Sequence, residues 1–162
     1  MALLILAMAL LLLVRLPFLV VSDQYEKTVL IRPLFDDMNF SIYYDHSVHK
    51  TPVWENFVPG LEDRLLLKST EFQSLGVGMP FLPEEGRLTN DNGKFILTGI
   101  DREFKEINLC LTPVARQSLL FGEKRFVLNN YFSPGDSIRI RLERLSAGVS
   151  LWRLTHGGKL LD

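Results

Sequence analysis

The stretch MNFSIYYD, residues 38–45, alternates apolar and polar side chains with a period of two. The first set is Met38, Phe40, Ile42 and Tyr44, and the intervening set is Asn39, Ser41, Tyr43 and Asp45. Successive side chains of a β-strand point to opposite faces of the sheet, so this pattern is typical of a strand with one face in a core. The stretch therefore predicts a half-buried β-strand.

The same alternation recurs near the C-terminus, where Ile138, Ile140 and Leu142 alternate with Arg139, Arg141 and Glu143. Further strands are predicted over 28–32, 53–58, 64–70, 95–97, 106–111, 124–128 and 149–154, and one or two helical turns over 112–120. Turn residues separate them at Pro59-Gly60, at Asn92-Gly93, which predicts a tight hairpin, and at Pro134-Gly135-Asp136. This spacing predicts an all-β fold: a single antiparallel β-sandwich or a barrel-like domain.

Residues 1–21 form an apolar segment that only Arg15 and Pro17 interrupt. As a helix it would be about 31 Å long, close to the thickness of a hydrocarbon core. We expect a hydrophobic helix that is either a membrane anchor or a signal peptide, with an apolar region over 3–14 and cleavage near Ser22. The division is thus 1–22 for anchor or signal and 23–162 for an extracytoplasmic β-rich domain, attached to the cell membrane or secreted if the leader is cleaved.

Composition limits the classes of function. The 162 residues suffice for one domain, with 47% hydrophobic residues, 23% charged residues and a net charge of −1. Because there is no overall basic field, no nucleic-acid partner is expected, and Arg139, Arg141, Arg144 and Arg153 are interpreted as a solvated strand face. The single cysteine, Cys110, excludes an intrachain disulfide and is expected to be a small buried filler. No cofactor is predicted.

The densest polar segment spans residues 44–55, between two predicted strands. Four interpretations remain open. His46 and His49 could bind a metal with Asp45 or Glu55, or Ser47 and His46 could form a catalytic set with a carboxylate. His46 and Glu55 could also line a ligand pocket beside Tyr43, Tyr44 and Trp54, or the polar side chains of His46, Ser47, Thr51 and Glu55 could fix the turn by hydrogen bonds to the backbone. No enzymatic activity is predicted, because adjacent Ser and His side chains point apart in a strand.

A second unusual segment reads Gly76-Val77-Gly78-Met79-Pro80-Phe81-Leu82-Pro83. The glycines allow positive φ or close backbone approach, and the prolines stiffen the second half of the segment. Its apolar side chains either tuck under the sheet or form an exposed patch for a partner or a membrane surface. It lacks the Lys-Ser/Thr of a phosphate-binding loop.

Together these two segments resemble the family described as domain of unknown function 1850. The matching residues are His46-Ser47-Val48, Thr51-Pro52-Val53, Glu55 and Gly76-Val77-Gly78-Met79-Pro80. The resemblance covers about residues 40–142, and Val77 departs mildly from the usual Gly-Ala-Gly. It implies a small protein with an N-terminal hydrophobic segment, whose genes accompany TAXI-type tripartite ATP-independent periplasmic (TRAP) transporters, and it implies no established activity.

The combined hypothesis is an exported or membrane-anchored accessory protein of a TRAP-type uptake system. It would contact the membrane through residues 1–21, and the transporter's membrane subunits or solute-binding protein through two adjoining bends. The expected surface consists of His46, Ser47, Thr51, Pro52, Glu55, Gly76, Gly78, Met79 and Pro80. The alternative is an extracytoplasmic module that binds a small molecule or a metal in a pocket at the turn from His46 to Glu55.

Overall fold

The computed structural model describes residues 13–35, 38–74, 86–156 and 158–161. Within these residues the chain forms twelve strands and one α-helix, Ala147–Thr155, hereafter the C-terminal helix. The strands are β1 (Arg15–Ser22), β2 (Thr28–Pro33), β3 (Phe40–Asp45), β4 (Pro52–Pro59), β5 (Leu65–Phe72), β6 (Arg87–Asp91), β7 (Lys94–Phe104), β8 (Ile107–Cys110), β9 (Ser118–Phe121), β10 (Lys124–Val127), β11 (Ser137–Ser146) and β12 (Lys159–Leu160). Short 3₁₀ turns lie at Leu61–Asp63 and Leu128–Asn130.

The strands form two sheets. One has five strands in the order β12-β2-β1-β11-β8, and the other has seven in the order β10-β9-β3-β4-β5-β7-β6. Neighbouring strands are antiparallel, except that β12 runs parallel to β2. The predicted all-β sandwich is therefore confirmed, and so is the hairpin at Asn92-Gly93, whose φ angles are 50° and 87°.

The main core lies between the two sheets. Leu19 and Ile140 of the five-stranded sheet belong to one apolar cluster with Phe40, Ile42 and Phe57 of the seven-stranded sheet. The rings of Phe40 and Phe57 stack with centroids 5.3 Å apart. Phe40 and Ile42 are the apolar positions of the alternating stretch in β3, so its period of two has the expected physical cause.

The N-terminal prediction is wrong for residues 15–22, which form β1 rather than the end of a hydrophobic helix. β1 pairs with β11 on one side and β2 on the other. Its residues Leu19 and Val21 face the main core, while Phe18 and Val20 pack beneath the C-terminal helix. A strand buried on both faces is apolar at successive positions, so its sequence resembles that of a membrane helix.

β1 is an inner strand of the sandwich, between β2 and β11, so residues 15–22 of the predicted 1–22 segment lie in the sandwich. The division into an anchor or signal over 1–22 and a domain over 23–162 otherwise stays a prediction. Cleavage near Ser22 would remove β1. The rest of the predicted anchor, residues 1–12, lies outside the described residues. Within the described ranges, no helix combines the length and apolar character needed to cross a membrane.

Two local predictions near the C-terminal half are also wrong. Residues 149–154 belong to the C-terminal helix, whose N-cap Ser146 accepts a hydrogen bond from the Val149 N–H at 3.4 Å. Ser118–Phe121 forms β9 instead of a helical turn, because it pairs with both β3 and β10. In both cases pairing or packing with distant residues outweighs a weak local pattern.

The predictions for Cys110 and for the four arginines concern how far these side chains are exposed to solvent, and the prediction for Cys110 is wrong. Cys110 is exposed rather than buried, because it lies on the edge strand β8, beyond the strands that the C-terminal helix covers. The predicted arginine face is largely paired with carboxylates. The ion pairs are Arg139 and Arg141 with Glu26, Arg141 and Arg153 with Glu143, and Arg144 with Asp63.

Candidate functional site

The polar segment found in the sequence forms the turn of the hairpin between β3 and β4. His46 N–H donates to the Thr51 carbonyl at 2.8 Å, and Lys50 N–H donates to the His46 carbonyl at 2.9 Å. Lys50 adopts a positive φ of 54°. The His46 side chain closes the turn from inside, because its Nδ1 accepts from the N–H groups of Val48 at 3.2 Å and His49 at 3.3 Å. His46 therefore stabilises the turn through backbone hydrogen bonds.

The tip of this hairpin, residues 47–50, is exposed. Val48 keeps 67% of its surface exposed, and the His49 ring lies 5.2 Å from the His46 ring between centroids. Thr51 and Pro52 are half-buried where β4 begins. The tip therefore presents an apolar side chain beside a histidine and a lysine.

A buried carboxylate anchors the base of the hairpin. Asp45 is 7% exposed and accepts hydrogen bonds from the Tyr43 hydroxyl at 2.7 Å and from Arg116 Nε. The Asp45 N–H donates to the Ala115 carbonyl at 2.7 Å. The Arg116 hydrogen bond is the main reason that the pKa of Asp45 lies below its usual value. Burial, followed by the hydrogen bond to Asp45, raises the pKa of Tyr43.

A row of cations and aromatic rings continues from this base across the outward face of the seven-stranded sheet. The Arg125 guanidinium carbon lies 4.1 Å from the Tyr43 ring centroid, and Tyr43 meets Trp54 edge to face at 5.4 Å. Lys94 Nζ lies 5.3 Å from the Trp54 ring and pairs with Glu71. Such contacts stabilise ring positions on an exposed sheet face. This row was not predictable from the sequence, because its members come from four different strands.

Glu55 lies elsewhere, on the inward face of β4 between Val53 and Phe57. It accepts a hydrogen bond from the Tyr44 hydroxyl at 3.2 Å. Burial raises the pKa of Glu55, and burial together with the negative charge of Glu55 raises the pKa of Tyr44. The pair sits where two apolar clusters of the inward face meet, since Tyr44 packs against both.

The predicted site residues consequently separate into two groups. Glu55 is opposite Ile42 in the register, four residues before His46 along β3, or about 13 Å at the usual rise of a strand. Nowhere in the described ranges does His46 or Ser47 form a hydrogen bond with a carboxylate. Likewise, no three His, Cys, Asp or Glu side chains of the described residues are placed to hold a metal ion.

The second predicted bend, with Gly76, Gly78, Met79 and Pro80, lies outside the described residues, which stop at 74 and resume at 86. The end of the preceding strand is described. β5 ends at Phe72, which pairs with Val53 just beyond the hairpin turn. The chain thus leaves β5 at the same end of the seven-stranded sheet as the turn between β3 and β4. We call this end of the sheet, which includes the turn at residues 46–51, the hairpin end.

The comparison with known families agrees with the resemblance noted in the sequence. The model of the family "Domain of unknown function (DUF1850)" matches residues 40–128, more than half of the chain. The match includes every strand of the seven-stranded sheet, while β1, β2, β11 and β12 lie outside it. No curated protein and no solved structure matches the chain. By this family match, the chain belongs to the DUF1850 family.

Proposed function

We propose that this protein is a docking protein of a TRAP-type (TAXI) solute uptake system. It is held at the cell membrane with its domain on the extracytoplasmic side, and it contacts the transporter's membrane subunits or solute-binding protein through the hairpin end. Membership of the DUF1850 family supports this choice of partner, through the transporter association that the resemblance implies.

The observation that carries the proposal is the combination of a fixed base and an exposed tip. Asp45 and Arg116 anchor the base, and the His46 ring closes the turn. Val48 projects with 67% of its surface exposed. A loop that is already ordered loses less conformational entropy on binding, so a braced tip is suited to protein contact.

The charges at this end indicate the chemistry of the partner surface. Lys50 is exposed at the tip, and the Arg116 side chain is 68% exposed although it pairs with Asp45. Arg125 adds a third cation over the Tyr43 ring. A complementary partner would present carboxylates around a small apolar contact for Val48.

Photo-crosslinking in cells tests this proposal. A photoreactive amino acid replaces Val48, and the matched control carries it at Leu61, which is 83% exposed in the turn between β4 and β5 at the opposite end of β4. We expect adducts with transporter subunits from position 48 and not from position 61. Equal adducts from both positions, or transporter adducts from neither, would contradict docking through the hairpin end.

A second candidate function is ligand binding at Glu55 and Tyr44, which keeps only the Glu55 part of the pocket predicted between His46 and Glu55. It is favoured by one observation: a hydrogen-bonded carboxyl and phenol lie between apolar clusters, which is typical of small-molecule sites. Melting shifts with candidate transporter solutes test it. Glu55→Gln should abolish a shift that Glu103→Gln, on the exposed face, leaves intact. Identical shifts in both variants would exclude this site.

A further inference from the structure

The C-terminal helix, Ala147–Thr155, is turned with its charged residue inward. Its inward side carries Ser150, Arg153 and Leu154, and Leu154 packs on the outer face of the five-stranded sheet. Arg153 Nη1 lies 2.8 Å from Glu143 Oε2, with both side chains about one-fifth exposed. The only charged side chain of the helix thus pairs with the protein itself.

The outward side of this helix has no charged residue. It consists of Ala147, Gly148, Val149, Leu151, Trp152 and Thr155. Three of its large apolar side chains are well exposed: Val149 at 43%, Leu151 at 64% and Trp152 at 59%. A helix on a water-facing surface normally directs its charged side outward, so this arrangement indicates an apolar surrounding on the outward side.

The apolar N-terminal segment joins the domain beside this helix. Arg15, the first residue of β1, pairs with Ser146, the N-cap of the helix. The residues around Arg15 are exposed and apolar, with Leu13 at 77%, Val14 at 47% and Leu16 at 43%. No charged residue occurs in 1–14. The chain that enters the sandwich next to the helix is thus as apolar as the outward side of the helix.

The small size of the surface favours lipid over a second protein chain. A nine-residue helix is about 14 Å long and about 10 Å wide, so its outward side offers roughly 140 Å². A stable protein interface needs about 800 Å² on each partner. An interfacial helix needs only its own apolar side, and Trp is favoured where head groups meet acyl chains.

We propose that the outward side of the C-terminal helix binds a lipid surface, with Val149 and Leu151 towards the acyl chains and Trp152 near the head groups. This surface lies on the five-stranded sheet, in the layer opposite the hairpin end. The membrane contact is therefore independent of any transporter partner. It leaves the hairpin end available for docking.

The experiment uses the full chain in vesicles of phosphatidylethanolamine and phosphatidylglycerol, with and without lipids brominated on their acyl chains. The chain has two tryptophans, Trp54 and Trp152, so Trp54→Phe isolates Trp152 and Trp152→Phe isolates Trp54. An interfacial helix buries its apolar side about 5–10 Å deep, so brominated lipid should reduce Trp152 emission about twofold while Trp54 emission stays unchanged. Trp152 should also resist quenching by aqueous iodide.

A second substitution keeps the test specific. In the Trp54→Phe chain, Leu151→Glu should remove most of the quenching by brominated lipid, whereas Val114→Glu should leave it. Val114 is 63% exposed, against 64% for Leu151, and lies in the loop between β8 and β9, at the end of β11 opposite the helix. Both variants should retain the circular dichroism of the parent. The proposal would be overturned if aqueous iodide quenches Trp152 and brominated lipid does not. Shielding of Trp152 from both quenchers would overturn it too, since it would mean that protein covers the helix.

Discussion

Removal of residues 1–22, as a cleavage near Ser22 would produce, should unfold the domain, whereas removal of residues 1–14 should leave it folded. The first truncation deletes β1, which lies between β2 and β11. Without it, both neighbours would present unpaired backbone edges and the helix would lose its support. The second truncation stops where β1 begins.

The expected loss in the free energy of unfolding follows from the buried side chains of β1. Phe18 is 9% exposed, and Leu19, Val20 and Val21 are at most 1% exposed. Burial of each such side chain contributes about 1.5–3 kcal/mol, or about 6–12 kcal/mol for the four. The free energy of unfolding of a domain is about 5–15 kcal/mol, so the loss is comparable to the whole stability.

Urea unfolding followed by circular dichroism measures the effect, with two point variants of the full chain as matched controls. Leu19→Ala should lower the free energy of unfolding by about 2–5 kcal/mol. Leu16→Ala, in the same strand but 43% exposed, should change it by less than about 0.5 kcal/mol. A cooperative transition of chain 23–162 near the midpoint of the full chain would refute the reasoning, as would a mature N-terminus after residue 15 in the purified, folded protein.

Three further predictions concern single side chains. Asp45→Asn should lower the free energy of unfolding by about 1 kcal/mol at neutral pH, since Arg116 is largely solvated. Because the pKa of Asp45 is lowered, this stabilisation should vanish as the pH falls through its native pKa, and a difference that persists in acid would contradict the pairing. Glu55 has a raised pKa, so the parent should lose stability as the pH rises from the ordinary pKa of a glutamate to the higher native pKa of Glu55, and Glu55→Gln should lack that slope in urea midpoints measured across pH. Native Cys110 should react with a water-soluble thiol reagent without denaturant, and a thiol that reacts only after unfolding would show burial.

Strand positions were predictable where one face of the strand is buried and the other is exposed to solvent. β3 and β11 follow from their alternation, and the turn at Asn92-Gly93 follows from residues that accept positive φ. The helix predicted over the apolar stretch at 15–22 is wrong because alternation disappears when both faces of a strand are covered. Whether such a strand or a membrane helix forms depends on what lies on each side of it, and no local pattern contains that information.

The candidate site likewise has features that neighbouring residues in the sequence predict and features that depend on tertiary contacts. The sequence identified the His46 turn, because its polar residues and Pro52 are neighbours in the chain. It did not identify Arg116 as the partner of Asp45, since 71 residues separate them. Nor did it reveal that Glu55 faces the opposite side of the sheet from the Asp45 network. That requires knowing which face of β4 meets the core.

By itself, the sequence determined an all-β domain, most of its strands and the hairpin that projects from it, because these depend on the period of neighbouring side chains and on turn chemistry. Only the tertiary structure decided that Arg15–Ser22 is an inner strand, that Ala147–Thr155 is a helix with its charge turned inward, and that Asp45 anchors the hairpin. These features depend on contacts between residues far apart in the chain. Their free energy arises only when these tertiary contacts form.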